Sequence, residues 1–142
     1  MIQILLILNS VFFFCLASIH VYWALGGKWG ENAVVPTNGN GKKLFNPGLI
    51  GTLMVALGLL LFMFIDLLYS GLVEFELSKN TIHYAILAIG AIFLVRAIGN
   101  FNNVGFTKRR TQTVFAKMDT RYYSPLCLFI AIVHLVALYL YL

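Results

Sequence analysis

Five ionisable side chains fall within or at the ends of long apolar stretches: His20, Asp66, His83, Arg96 and His134. An ionisable group at membrane depth costs about 2.5–3.5 kcal/mol on insertion scales, so each asks for a physical reason. Arginine carries a planar fork that pairs bidentately with phosphate or carboxylate. Histidine ordinarily changes charge in the physiological range and can bind or shuttle a proton. These types suit an amphiphilic ligand, with Arg96 on its anionic group, Trp23 against its apolar part and the histidines changing protonation. The expected ligand-binding set is His20, Trp23, Arg96, Asn100 and His134.

Depth and periodicity select that set. His20 and Arg96 lie within about two turns of the ends of the first and third apolar runs that face the basic loops. His134 lies close to the middle of the last apolar run, whereas Asp66 and His83 mark the opposite ends of theirs. Asn9 shares a face with His20, because eleven residues turn about 1,100°, three circles plus 20°. Asn100 follows Arg96 by one turn. Ser124, Cys127, Ala131, His134 and Tyr141 form a heptad-like stripe of small and polar residues that should face other helices. The plainer reading stands beside this one. His134 would bond a neighbouring helix, Arg96 would snorkel to headgroups, and Trp23, Trp29, Tyr122 and Tyr123 would form an aromatic belt.

Other chemistries lack their residues. There is no His-Glu-x-x-His, no Cys-x-x-Cys and no clustered carboxylates, so no metal is expected. No Walker loop or nucleophile elbow occurs. His20 and His134 could in principle supply two axial haem ligands within a helical bundle, and a histidine acid–base enzyme acting on a lipid or isoprenoid is a further alternative. A purely structural membrane subunit is another. No cofactor is expected.

The elements that must position these residues are plain. Of 142 residues, 61% are hydrophobic and 11% charged, with a mean hydropathy of +0.88. A soluble domain carries about 25% charged residues, so a soluble enzyme and a nucleic-acid-binding module are excluded. The expected fold class is all-α: one polytopic membrane domain over residues 1–142, a bundle of four transmembrane helices at about 2–25, 48–69, 81–98 and 125–142. The first run has no basic leader and no small-residue cleavage site, so it reads as a retained helix. Asn46-Pro47 and Ser124-Pro125 read as N-cap followed by first-turn proline, and Asn80 as the cap of the third helix. Pro36–Gly41 reads as a loop. Cys15 and Cys127 differ in depth by about 12 Å and read as unbridged packing residues.

Lysine and arginine bias sets the orientation. Loops 26–47 and 99–124 share a side and carry eight basic residues, against one, Lys79, in the loop between the second and third helices. Positive-inside then puts both loops in the cytoplasm and both termini outside. The net charge of +5 reports this topology and an attraction for anionic headgroups, with no nucleic-acid partner. Lys108, Arg109, Arg110, Lys117 and Arg121 are the expected membrane-surface contacts. Val114, Phe115, Met118 and Tyr122 recur at helical spacing, so loop three reads either as a short interfacial helix or as an ordinary basic loop.

Two motif blocks carry a family resemblance: His20-Val21-Tyr22-Trp23-Ala24-Leu25-Gly26-Gly27 with Val35-Pro36, and Arg96-Ala97-Ile98-Gly99-Asn100-Phe101 with Val104-Gly105-Phe106-Thr107-Lys108. Phe115-Ala116, Asp119-Thr120 and Tyr123-Ser124-Pro125-Leu126-Cys127 complete the pattern. The chain resembles a family of small, four-helix bacterial membrane proteins classed as a domain of unknown function. The resemblance implies four membrane helices, a bacterial origin and no established activity, and it supplies no substrate; the expected location is the bacterial cytoplasmic membrane. An acidic residue commonly stands in that pattern where this chain has Asn100, and an aromatic where it has Thr107. The expected function is therefore a binder or small transporter of an amphiphilic or small molecule, with its polar pocket in the cytoplasmic half. Four short helices leave little room for a path, so transport would suit a homodimer.

Overall fold

The computed structural model describes residues 1–141. Leu142, included in the expected fourth span, and the side chain of Tyr141, included in the expected stripe, lie outside the described residues. The chain forms α1 (Ile2–Ala24), a short α2 (Glu31–Val34), α3 (Leu49–Ser70), α4 (Lys79–Ile98), a short α5 (Val114–Met118) and α6 (Ser124–Tyr141). A π-helical turn, Asp119–Tyr123, joins α5 to α6. Among the described residues the β structure is a single isolated bridge, Thr37–Lys43, within loop one. Four helices are long and apolar enough to cross a membrane, and the fold is an all-helical bundle.

Local chemistry explains where these helices begin. Gly48 rather than Asn46 is the N-cap of α3, and the Thr52 hydroxyl donates to the Gly48 carbonyl at 2.9 Å. Ser78, not Asn80, caps α4: its Oγ accepts the Thr81 N–H at 3.1 Å, which moves the start to Lys79. Ser124-Pro125 does not begin a helix. Helix runs from Val114, capped by Thr113, whose Oγ accepts the Ala116 N–H at 3.1 Å, through the π turn and on into α6. Pro125 has no N–H to offer the preceding turn, and widening the helix just before it accommodates that loss. The short helix read in loop three thus exists, but it is continuous with the last span, and Phe115 and Ala116 are buried.

The helices pack as two close pairs, α1 on α3 and α4 on α6, with sparser contact between pairs. Small residues permit this closeness: Ala17, Ala56, Gly90, Ala97, Ala131 and Ala137 are all buried. A Cβ on Gly90 would meet the His134 Cβ at 3.2 Å. Phe13 joins the pairs, its ring 5.8 Å from Phe62, 5.5 Å from Phe93 and 6.2 Å from the His134 imidazole. Ile4, Leu57, Val95 and Tyr139 are among many large side chains that point outward, as a surface solvated by lipid tails allows. Cys15 lies on that outer surface, contrary to its expected role in packing, whereas Cys127 is buried and both are free.

Candidate functional site

Two buried carboxylates organise the polar interior. The first is Asp119, in the π turn, which is fully buried. Its Oδ1 accepts from Arg96 Nη2 at 2.8 Å. Its Oδ2 accepts from Gly105 N–H at 2.9 Å, Lys108 Nζ at 2.9 Å and the Ser124 hydroxyl at 3.1 Å. Lys108 also donates to the Gly105 carbonyl at 2.9 Å. Loop three is folded to make this possible. Gly99 and Gly105 both have left-handed φ, of 93° and 85°, and a Cβ on Gly99 would lie 1.8 Å from the Val104 carbonyl oxygen. Glycine is therefore required at this crossing. Asn100 tightens the loop: its Oδ1 accepts backbone N–H groups of Asn102, Asn103 and Val104 at 3.2, 2.8 and 3.1 Å.

The second carboxylate is Asp66, near the end of α3, also fully buried. Its Oδ1 lies 2.9 Å from Nε2 of His134, which is equally buried on α6. His134 Nδ1 lies 2.8 Å from the Ile130 carbonyl oxygen, one turn back on its own helix. A carbonyl oxygen can only accept, so Nδ1 carries a hydrogen and donates. The Nε2–Oδ1 contact then requires one further proton between the two groups. It is either an imidazolium donating to a carboxylate or a carboxylic acid donating to a neutral imidazole. In both cases the pair is neutral as a unit, which suits its apolar surroundings. Asp66 Oδ2 and both amide atoms of Asn9 are buried and make no hydrogen bond.

The expected ligand-binding set is distributed over different tasks. His134 pairs with Asp66 in the half of the bundle that carries the chain termini. Arg96 pairs with Asp119 at the other end, its Nη1 buried and without a hydrogen-bond partner. Asn100 is exposed and occupied by its own loop. His20 Nδ1 lies 2.7 Å from the Leu16 carbonyl oxygen, and its ring meets Trp23 edge-on with centroids 5.2 Å apart. Trp23 Nε1 donates to the Trp29 carbonyl at 2.8 Å. Asp66, read as an interfacial end-marker, is instead an interior group. His83 is half-buried against Tyr84.

Among the basic residues expected at the membrane surface, Arg109, Arg110, Lys117 and Arg121 are exposed. Lys108 is not: its side chain is 2% exposed and ion-paired with Asp119. The loop that brings Lys108 back onto Asp119 turns it inward, which a count of basic residues does not register. Arg109 and Arg110 instead line a cleft of about 400 Å³ with Gly39, Thr111, Gln112 and Thr113. A second, apolar cleft of about 260 Å³ runs past Phe14, Ala17, Ser18, Val21 and Leu60. Neither is lined by the expected ligand-binding residues. Among the described residues no three histidine, cysteine or carboxylate side chains form a metal-binding group.

The chain matches a family model described as protein of unknown function, DUF3995, over residues 13–134. It belongs to the DUF3995 family. The matched region includes both carboxylates with their partners, and Asn9 lies before it. No curated protein and no solved structure matches this DUF3995 chain significantly.

Sequence reasoning missed Asp119 and the Asp66 side of the pair, although a signal existed for each. Asp119 is the one carboxylate among the five basic residues of loop three, and Asp66 is the one acidic residue within the apolar runs. The sequence places Asn9 only on the face of His20; Asn9 is fully buried, whereas His20 is half-buried and turns to its own helix.

Proposed function

We propose that this bacterial membrane protein binds or transports a small or amphiphilic molecule in a proton-dependent manner, with Asp66–His134 as its working centre. The observation that carries this reading is the 2.9 Å contact between two fully buried side chains that share one proton. Loss of that proton would leave a carboxylate and an imidazole lone pair facing each other, and the contact would open. That contact joins α3 of one close helix pair to α6 of the other, beside the Tyr69 hydroxyl donating to the Ala137 carbonyl at 2.8 Å. Proton release therefore loosens one helix pair from the other, and a ligand that favours one arrangement is coupled to the proton by that difference.

The cytoplasmic-end cluster supports a structural role better than a ligand site. Arg96 already meets an anion in Asp119, and Asn100 is committed to its loop. The geometry likewise weighs against a histidine acid–base enzyme or a haem protein built on His134, because both ring nitrogens are engaged.

Native mass spectrometry in mild detergent, at about pH 5 and about pH 8, brackets the range in which histidine ordinarily titrates. The expected result is a stoichiometric adduct whose occupancy differs between the two conditions and which Asp66→Asn and His134→Ala both remove. An adduct indifferent to both substitutions but lost in Arg96→Ala would move the site to the cytoplasmic end and sink the proposal. The same spectra report subunit number and separate haem from lipid.

A further inference from the structure

Asn9 is the one fully buried side chain whose polar atoms all lack a hydrogen-bond partner among the described residues. Burying an amide unpaired is costly, and helix interiors offer cheaper residues for packing alone. Its position relates it to the Asp66–His134 pair. Ser10 Oγ lies 3.4 Å from the Met63 carbonyl oxygen, which fixes the register of antiparallel α1 and α3. From that level Asn9 is one residue, and Asp66 three residues, toward the end of the bundle that carries the termini. At 1.5 Å per residue their depths differ by about 3 Å. Asn9 also shares a face with Phe13, one turn away, whose ring is 6.2 Å from the His134 imidazole.

We infer that Asn9 is the third member of the proton site, a positioning residue that receives the Asp66 carboxylate when the pair gives up its proton. The inference rests on the reading of Asp66–His134 as a proton site. In the proton-holding state Asp66 Oδ1 meets His134, while Oδ2 and the Asn9 amide stand unpaired, about 3 Å apart in depth. When the proton leaves, the carboxylate turns from the imidazole lone pair to the Asn9 Nδ2 hydrogens, which stabilise its full negative charge. The proton passes to solvent and no bond other than hydrogen bonds is made or broken. Asp66 is four residues from the end of α3 and Asn9 seven from the start of α1, about 6 and 10 Å by helical rise. The exchange is therefore with the face that bears the termini.

The groups around this site are few. α1 contributes Asn9 and Ser10, α3 contributes Asp66 with Tyr69 one turn further out, and α6 contributes His134. The face that α4 presents to His134 holds Gly90, with His83 two turns further toward the same end. Among the described residues at these positions, Tyr69 and His83 are the further titratable side chains toward this end, and each has an interaction of its own.

Infrared difference spectroscopy of the purified protein, titrated with acid, tests this with wild type, Asp66→Asn, Asn9→Leu and Asn9→Gln. The wild type should show a protonation-linked change in carboxyl and imidazole bands that Asp66→Asn abolishes. Asn9→Leu should retain that signal but displace its midpoint by about tenfold in proton concentration, a shift of one pH unit. Asn9→Gln, which keeps the amide, should restore part of the displacement. Thermal stability of Asn9→Leu should equal or exceed wild type, since an unpaired buried amide is replaced by an apolar group of similar size. A signal present in wild type, abolished by Asp66→Asn and unmoved by Asn9→Leu would overturn the role of Asn9 alone. Absence of any Asp66-dependent signal in wild type would overturn the proton site itself. A large loss of stability in Asn9→Leu with an unmoved midpoint would assign Asn9 to packing, against the inference.

Discussion

Asp119 and Asp66 are both fully buried carboxylates on interior faces of the same small bundle, yet their surroundings differ in kind. Asp119 accepts four hydrogen bonds, two from cations, and both its oxygens are engaged. Asp66 has one imidazole on one oxygen and an unpaired second oxygen. A saturated buried carboxylate holds a fold in a single arrangement, since every alternative leaves charges unpaired. A half-satisfied one keeps a second arrangement within reach. The contrast separates a structural knot, which closes loop three onto the end of α4, from a centre able to change state.

Breaking the knot should produce the largest effect on stability. Asp119→Ala leaves the Lys108 ammonium buried and three further donors, on Arg96, Gly105 and Ser124, without their acceptor, and removing one member of a buried ion pair costs about 3–5 kcal/mol. Thermal unfolding in detergent should fall accordingly, and an unchanged midpoint would show that Asp119 is no structural knot. Gly99→Ala should follow, at about 1–3 kcal/mol or more, from its left-handed backbone and the contact with the Val104 carbonyl. Asp66→Asn should be milder on the same assay, within about 1–2 kcal/mol, because an amide of the same shape can still donate to a neutral His134. Its pH-dependent ligand occupancy should nevertheless vanish. A loss of stability as large as that of Asp119→Ala would make Asp66 a second knot.

Smallest of all are the surface charges. Arg109→Ala and Arg110→Ala should each weaken binding to vesicles rich in anionic lipid by about 1 kcal/mol and leave stability unchanged. Lys108→Ala should do the reverse, lowering stability with no effect on vesicle binding. Equal effects from all three in a vesicle sedimentation assay would place Lys108 back at the surface.

Some parts of the site are legible in the sequence and others are not. Arg96, Asn100 and His134 announce themselves as polar residues in apolar or turn-rich sequence, and all three prove to have specific partners. Their grouping into one cytoplasmic pocket rested on distance along each helix from its end. That measure ignores side-chain reach and the stagger between helices. Arg96 reaches toward the loop and His134 toward α3, so they serve separate carboxylates. Asp66, near a helix end by count, is drawn inside because the adjoining segments of α1 and α6 extend past it.

By itself the sequence determined the four spans, their approximate limits and the basic loops on one side, because hydrophobic length and charge act locally and are summed along the chain. Loop three's conformation, the continuity of helix from Val114 through Pro125 to Tyr141, and the partners of Asp66 and Asp119 were decided by tertiary structure. Those features depend on atoms far apart in sequence meeting within about 3 Å, a distance at which one residue of helix register, 1.5 Å, already matters. Composition fixes how many buried charges must find partners. Only the packed bundle decides which carboxylate is saturated and which is left with an oxygen to spare.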